Sequence, residues 1–563
     1  MTDVAGPVPS QGRRSQRQGF VPKLVTALAQ GYHFNDLRAD AVSGLTVAIV
    51  ALPLAMALAI ASGASPDKGL ITVVVAGFII SAFGGSRYQI GGPTGAFVVV
   101  VANVIAVHGY DGLIIATLMA GIILMAAGFA RLGNFMRYIP EPVVTGFTAG
   151  IAVIIFSSQV KDFFGLTIAH LPAEFIGQWE ALIKAAPTVS LATAALSIAA
   201  LAIILILRRV APKAPGFLIV VLLGSLAVMF LNLPVDTIGT RFGGISGALP
   251  APSFPTITFA RIGDLLPSAL TIAFLAGVES LLSAVVADGM TGGRHRPNAE
   301  LVAQGLANTA SALFGGLPAT GAIARTATNI RAGARTPVSG VMHAAFVLAV
   351  MLLLAPLAVY VPLASLAAIL MVVAWNMSEI GKIRHLMSAP VGDRLLLLST
   401  LGLTVAVDLT VAIAVGVVLA AVIFMHRMAG MTRVEVFSNG EDGEGDVRAL
   451  LPPGVEAFDV SGPLFFGAAA HLSEVLDQIG QMPRVFILRM EEVPMIDATG
   501  VGAIVEFVRR CRHGGTQVIL SGLAPQTEQV LRRMGLAPDG EAVRWAANFE
   551  TALALSQPVA VAA

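Results

Sequence analysis

Charge is scarce in this chain. Asp, Glu, Lys and Arg make up 12% of its 563 residues and the formal net charge is +1, so no basic surface is written for nucleic acid. One cysteine, Cys511, excludes an internal disulfide framework. The nine histidines lack ligand-like spacing, so no metal site is read. No Gly-rich loop ends in Gly-Lys-Ser/Thr, so neither an ATPase phosphate loop nor a cofactor is implied, and nothing marks an enzyme. What fills the chain is apolar: 56% of its residues are hydrophobic, too many for an ordinary soluble protein. The sequence describes a multi-pass helical membrane protein.

Two Gly/Pro strings interrupt this background: Gly91-Gly92-Pro93-Thr94-Gly95-Ala96-Phe97 and Gly316-Leu317-Pro318-Ala319-Thr320-Gly321-Ala322-Ile323. Their flanks repeat too. Ser43-Gly44-Leu45-Thr46 is echoed by Ser268-Ala269-Leu270-Thr271, and Tyr138-Ile139-Pro140 by Tyr360-Val361-Pro362. Ser43 and Ser268 lie 225 positions apart, Thr94 and Thr320 226, and Tyr138 and Tyr360 222, so register holds over a whole half. Gly and Pro are common in membrane helices, but paired interruptions at corresponding places in two halves point to a secondary transporter's binding site. A helix that begins inside the bilayer leaves its first N–H groups unpartnered at the positive end of its dipole. Two such starts facing each other make an anion site without a cationic side chain. Thr94, Gly95, Ala96 and Phe97 are the expected substrate-binding residues of the first copy, and Thr320, Gly321, Ala322 and Ile323 those of the second.

At about 20 apolar residues per crossing, spans fall near 41–62, 68–85, 93–107, 112–131, 141–160, 188–208 and 214–231. The second half gives 264–288, 298–315, 319–330, 337–358, 363–378, 393–407 and 409–427. The third and tenth are too short to cross unaided, as discontinuous helices are. Seven spans per half is an odd number, so the 14 spans form a 7+7 inverted repeat. Arg13, Arg14, Arg17 and Arg38 precede span one. Arg131 with Arg137, Arg208 with Arg209 and Lys213, Arg294 with Arg296, Arg331 with Arg335, and Lys382 with Arg384 follow even-numbered spans. This bias puts both termini in the cytoplasm. No apolar core with a cleavage site precedes the first span, so no removable signal peptide is read.

After Arg427 the composition changes. Ser438 to Asp446 is an acidic, Gly-rich stretch, and beyond it Val485-Phe486-Ile487-Leu488 and Gln517-Val518-Ile519-Leu520 read as buried strands. Residues 469–480, 500–512 and 525–534 have helical periodicity, so a small mixed sheet covered by helices is expected. The resulting division is 1–40 as a cytoplasmic segment, 41–430 as the transmembrane domain with repeats at about 41–231 and 264–427, 431–453 as linker, 454–551 as the α/β domain and 552–563 as a tail.

Glu279 is the sharpest single residue, standing mid-span in Leu275-Ala276-Gly277-Val278-Glu279-Ser280-Leu281-Leu282. A carboxyl group in hydrocarbon costs several kcal/mol and is by default functional. It lies eleven residues past Ser268, while eleven past Ser43 is Leu54, so the acid belongs to the second copy alone. It suits a proton carrier; the structural alternatives are a pair with Arg325 or exposure to a water-filled cleft. Arg325 either lends positive potential to an anion site, neutralises Glu279, or reaches the cytoplasmic face. Thr94, Thr320 and Ser283 are hydroxyl ligands or bond back to helices. Asp408, between the last two spans, reads as a turn or cap residue.

These residues resemble the SulP family, the sulfate permease and solute-carrier anion exchanger group. The likeness is carried by Pro53, Gly84-Gly85-Ser86-Arg87, Gly92-Pro93-Thr94-Gly95, Glu279-Ser280-Leu281-Leu282 and Ala324-Arg325-Thr326. The tail resembles a STAS domain, through Asp459-Val460-Ser461-Gly462-Pro463-Leu464-Phe465-Phe466 and Ile496-Asp497-Ala498-Thr499-Gly500. The resemblance implies a core of spans one to four and eight to eleven moving against a gate of spans five to seven and twelve to fourteen. It also implies an anion held between the third and tenth helix starts, and a homodimer.

The chain departs from the family in places. Pro66-Asp67-Lys68-Gly69-Leu70-Ile71 stands where members often have Pro-x-Tyr-Gly-Leu-Tyr. Many members carry Gln where Leu54 stands, so Leu54 belongs with the substrate-binding residues and weakens the case for strongly hydrated sulfate. Sodium-coupled bicarbonate members tend to have Asp at Glu279 and Thr at Ile323, which turns the expectation toward protons. Ala498 occupies the place of the phosphorylated Ser of regulated STAS proteins, which excludes that switch.

The expectation is a proton-coupled importer of a small carboxylate or inorganic oxyanion, working by elevator-like alternating access. It would be a homodimer in the plasma (inner) membrane with a STAS domain open to a cytosolic partner. The alternatives are a sodium-coupled bicarbonate transporter or anion exchanger, a nucleobase permease and, from another class, a STAS-mediated membrane regulator or scaffold.

Overall fold

The computed structural model describes residues 19–134, 140–168, 172, 174–212, 214–407, 409–436, 451–466 and 482–557. Arg13, Arg14, Arg17, Arg137, Tyr138, Ile139, Lys213, Asp408, the stretch 438–446 and the helix expected at 469–480 lie outside the described residues. The chain divides into two compact units, Met1–Val417 and Val418–Ala563.

The first unit opens with α1 (Lys23–Ala29), α2 (Phe34–Ala61) and α3 (Pro66–Phe83), followed by β1 (Gly91–Gly92) and a 3-10 turn, Gly95–Phe97. Then come α4 (Val98–Phe129), α5 (Glu141–Phe164), α6 (Phe175–Ala185), α7 (Leu191–Val210), α8 (Gly216–Leu231) and α9 (Ile238–Phe242). The second half has α10 (Phe259–Thr291), α11 (Pro297–Leu313), β2 (Thr320–Gly321), α12 (Ile323–Arg331), α13 (Val338–Leu354), α14 (Leu363–Met377), α15 (Ile380–Leu386), α16 (Val391–Ala406) and α17 (Leu409–Ala429). The run α4 is two helices end to end. Gly109 takes φ +71 and ψ 178, which a residue without Cβ adopts cheaply, and the third and fourth expected spans part there. The nine residues of α12, about 14 Å long, cannot cross a bilayer. Four short helices, α1, α6, α9 and α15, are additions that a count of apolar spans does not anticipate.

The helices pack in two sets. In one, α4 lies against α10 and α11, while α13 lies against α2 and α3. In the other, α5 packs on α14 and α16, and α14 packs on α7. Because α2, α3, α4, α5 and α7 correspond to α10, α11, α13, α14 and α16, each contact is repeated with the halves exchanged, as an inverted repeat requires. Small residues let the backbones close up. A β-carbon on Gly121 of α4 would stand 2.7 Å from the Gly305 carbonyl oxygen, and one on Gly305 2.6 Å from that of Gly121.

In the second unit, β3 (Arg433–Val436), β4 (Val455–Ser461), β5 (Val485–Glu492), β6 (Gln517–Ser521) and β7 (Val543–Ala546) form one sheet in that spatial order. The helices α18 (Ala498–His513), α19 (Pro525–Arg533) and α20 (Phe549–Ser556) accompany it. Only β3 and β4 are antiparallel, so the sheet is mixed as expected. Alternation sorts the side chains: Phe486, Leu488, Val518 and Leu520 pack with Phe507 of α18 and Leu531 of α19. Val485, Ile487 and Ile519 form the other layer with Ala552 of α20.

Candidate anion-binding site

The two Gly/Pro strings meet. Gly91 pairs with Gly321 and Gly92 with Thr320, a two-residue antiparallel ladder that joins the halves just before both short helices begin. Gly92 has φ +150, which favours a residue without Cβ. Along this junction runs α10. Its Glu279 accepts a hydrogen bond from the Thr94 hydroxyl at 2.8 Å. One turn earlier its Ala276 carbonyl accepts from the Thr320 hydroxyl at 2.9 Å, and one turn later the Ser283 hydroxyl donates to Thr326 Oγ1 at 3.1 Å. One helix thus touches both starts, and all three hydroxyls singled out from the sequence donate within the protein, Thr94 to the acid and the other two to a backbone carbonyl and a hydroxyl.

Arg325 is buried and donates through Nη2 to the Pro93 carbonyl, while its Nε and Nη1 have no partner. It forms no ion pair within 4.0 Å of Glu279; its hydrogen bond goes to the loop before Thr94. The backbone corrects part of the expected amide set. The Phe97 N–H donates to the Thr94 carbonyl at 3.3 Å and the Ala322 N–H to the Ile90 carbonyl at 2.8 Å, so neither is free to hold an anion. The Ala322 bond makes Gly91–Gly321 a pair without mutual hydrogen bonds, which leaves the Gly321 N–H outside the ladder. Because α12 begins at Ile323, later than the expected span start at 319, the open amides at the second start are those of Ile323, Ala324 and Arg325.

Exposure is unequal between the copies. Gly95, Ala96 and Phe97 are buried and Thr94 is half-buried, whereas Ile323 is 40% exposed and Ala324 is exposed beside it. Glu279 is half-buried, and Leu54 is half-buried on α2, where it takes no part in the hydrogen bonds joining the other residues.

Comparison with known proteins gives two family matches, the sulfate permease family over residues 37–400 and the STAS domain over residues 447–548. The chain belongs to the sulfate permease family. It is 42% identical over 509 residues to "Putative sulfate transporter YvdB" of Bacillus subtilis (strain 168), covering 90% of this chain and 95% of that one. It is 32% identical over 531 residues to "Bicarbonate transporter BicA" of Picosynechococcus sp. (strain ATCC 27264 / PCC 7002 / PR-6), covering 90% and 92%. The solved structure of SLC26A9 shares the fold with TM-score 0.85 at 17% identity, over 98% of this chain and 96% of that one. The chain is therefore an anion transporter of this family, a multi-pass membrane protein with a C-terminal STAS domain.

Three polar residues that sequence reasoning missed brace this centre from α11. Glu300, wholly buried, accepts from the Gly85 and Ser86 N–H groups at 2.8 and 3.2 Å and from Gln304 Nε2 at 2.9 Å. Asn308 clamps Ala319, accepting its N–H and donating to its carbonyl, both at 2.8 Å, and so fixes the residue before Thr320. Their spacing of four was visible in the sequence and puts all three on one helix face. In the STAS domain, Ala498 opens α18 under a cap from Asp497, whose side chain accepts the Gly500 N–H at 2.8 Å.

Proposed function

We propose that this protein imports a small carboxylate or inorganic oxyanion across the plasma (inner) membrane, coupled to protons. The anion sits between the two helix starts, Glu279 carries the proton, and the set containing α10 and α12 moves against the set containing α5 and α14 in an elevator-like cycle. The single observation that carries this reading is the Thr94–Glu279 hydrogen bond, which ties a broken-helix start to a membrane carboxylate. Support comes from the open amides at Ile323 and Ala324, from the unpartnered Arg325 N–H groups, and from relatives named for sulfate and bicarbonate transport. Sodium coupling is disfavoured because Ile323 offers no oxygen ligand. A homodimer with both termini in the cytoplasm completes the proposal.

The test is uptake into proteoliposomes of chloride, bicarbonate, sulfate, succinate and fumarate, with an inward proton gradient or an inward sodium gradient. Glu279→Gln keeps the shape but cannot release a proton, so gradient-driven uptake is expected to vanish while anion binding survives. Uptake that follows sodium, or gradient-driven uptake that persists in Glu279→Gln, would defeat proton coupling.

A further inference from the structure

Gly95, the first residue of the turn that begins the first broken helix, is buried although its neighbour Thr94 is not. What covers it comes from the other helix set. A β-carbon placed on Gly95 would run into Met377 Sδ, and would stand 3.0 Å from Met377 Cε and 3.3 Å from Ile155 Cδ1. Met377 ends α14 and Ile155 lies in α5, two helices that pack on each other. Met377 is itself only half-buried, next to exposed Asn376 and Trp375. A thioether and a methyl group therefore close over the glycine at the first helix start, while Ile323 and Ala324 at the second start are exposed.

We propose that Met377, backed by Ile155, is the apolar wall of the anion site and determines which anions it accepts. The inference rests on the reading that the anion sits between the helix starts. It narrows the substrate class to compact anions of a single oxyanion group, because an apolar wall returns no hydrogen bonds to a second charged group and costs the anion part of its hydration. The polarizable, unbranched Met side chain tolerates small differences in anion shape that a branched residue would not. The bare α-carbon of Gly95 is explained by the same contact, since any side chain there would displace the wall.

The experiment uses the full chain in proteoliposomes. Native Cys511 is buried, so Met377→Cys supplies the one accessible thiol among the described residues. Its modification by a charged thiosulfonate is expected to slow when the transported anion, identified from chloride, bicarbonate, sulfate and fumarate, is present at saturation. In parallel, Met377→Ala should raise fumarate uptake relative to bicarbonate about tenfold, the scale of pocket discrimination by a few methylenes, whereas Met377→Leu keeps the wild-type ratio. Modification indifferent to the anion, with an unchanged fumarate-to-bicarbonate ratio in Met377→Ala, overturns the proposal. If Met377→Ala does not fold, the Met377→Cys protection decides alone. Ile323→Trp separates the two failures: if it blocks uptake while the Met377 readouts stay flat, the wall alone is wrong, and if it transports normally, the site itself is misplaced.

Discussion

The Thr94 hydroxyl reaches Glu279 Oε2 at 2.8 Å across 185 positions of chain, joining the broken helix of one half to the acid of the other. Thr94→Val keeps the shape and removes the donor. A hydrogen bond to a charged group contributes about 1.5–3 kcal/mol, so proton-driven uptake is expected to fall about tenfold or more. Thr94→Ser retains the donor and should restore most of it. In a double-mutant cycle the losses from Thr94→Val and Glu279→Gln should not add. Additive losses in purified, folded protein would show that the two residues act separately.

Gly321 is a poor place to block the site. A side chain there runs into the Gln89 side chain, which is buried and has no hydrogen-bond partner. Gly321→Ala is thus expected to destabilise the fold by about 1–3 kcal/mol, the usual cost of overpacking, read as a lowered melting temperature. Ile323, 40% exposed beside the open amides, has room for a larger side chain, so Ile323→Trp should instead abolish anion binding at nearly unchanged stability. Equal melting curves for Gly321→Ala and wild type would refute this placement.

Truncation offers a third measurement. The STAS sheet begins at Arg433, where β3 pairs with β4, and Thr432 donates from its hydroxyl to the Pro463 carbonyl at 2.9 Å. A chain ending at Met431 removes the sheet without splitting it. Substrate binding should survive in that variant even where turnover falls. Complete loss of binding in a monodisperse, thermally stable truncation would assign part of the site to the STAS domain.

Cys511 gives a pH-dependent prediction. Burial pushes its thiol up to about 11, against the smaller opposing pull of Arg510. The folded protein should resist thiol reagents at pH 8 and label fully on unfolding. Because the folded value is raised, the stabilising contribution is complete below the unfolded value of 9.0 and is lost as pH rises through about 11. Denaturant midpoints that stay flat from pH 8 to 11, or rapid labelling of native protein at pH 8, would contradict the burial of this thiol.

Both helix starts could be read from the sequence because backbone chemistry is written in Gly and Pro. The strings at 91–97 and 316–323 marked both helix starts, and one carboxylate in an apolar run marked Glu279. The amide set was misjudged at Phe97 and Ala322, whose N–H groups are taken by carbonyls that local spacing does not reveal. Glu300 escaped notice because it stands in the first turn of its helix, where acids are commonplace. Met377 could not be found at all: its partner is a glycine, which leaves no pattern, and the contact spans two helix sets.

The short ladder between Gly91 and Gly321 also bears on how such a protein is made. Its partners are 230 positions apart, so the first strand enters the membrane long before the second has been synthesised. Until then its backbone groups face hydrocarbon or neighbouring helices without the partners a bilayer demands. A chain that stops before residue 320 lacks the strand that pairs with Gly91–Gly92 and so has no ladder to close. Neither half alone can be a smaller version of the whole.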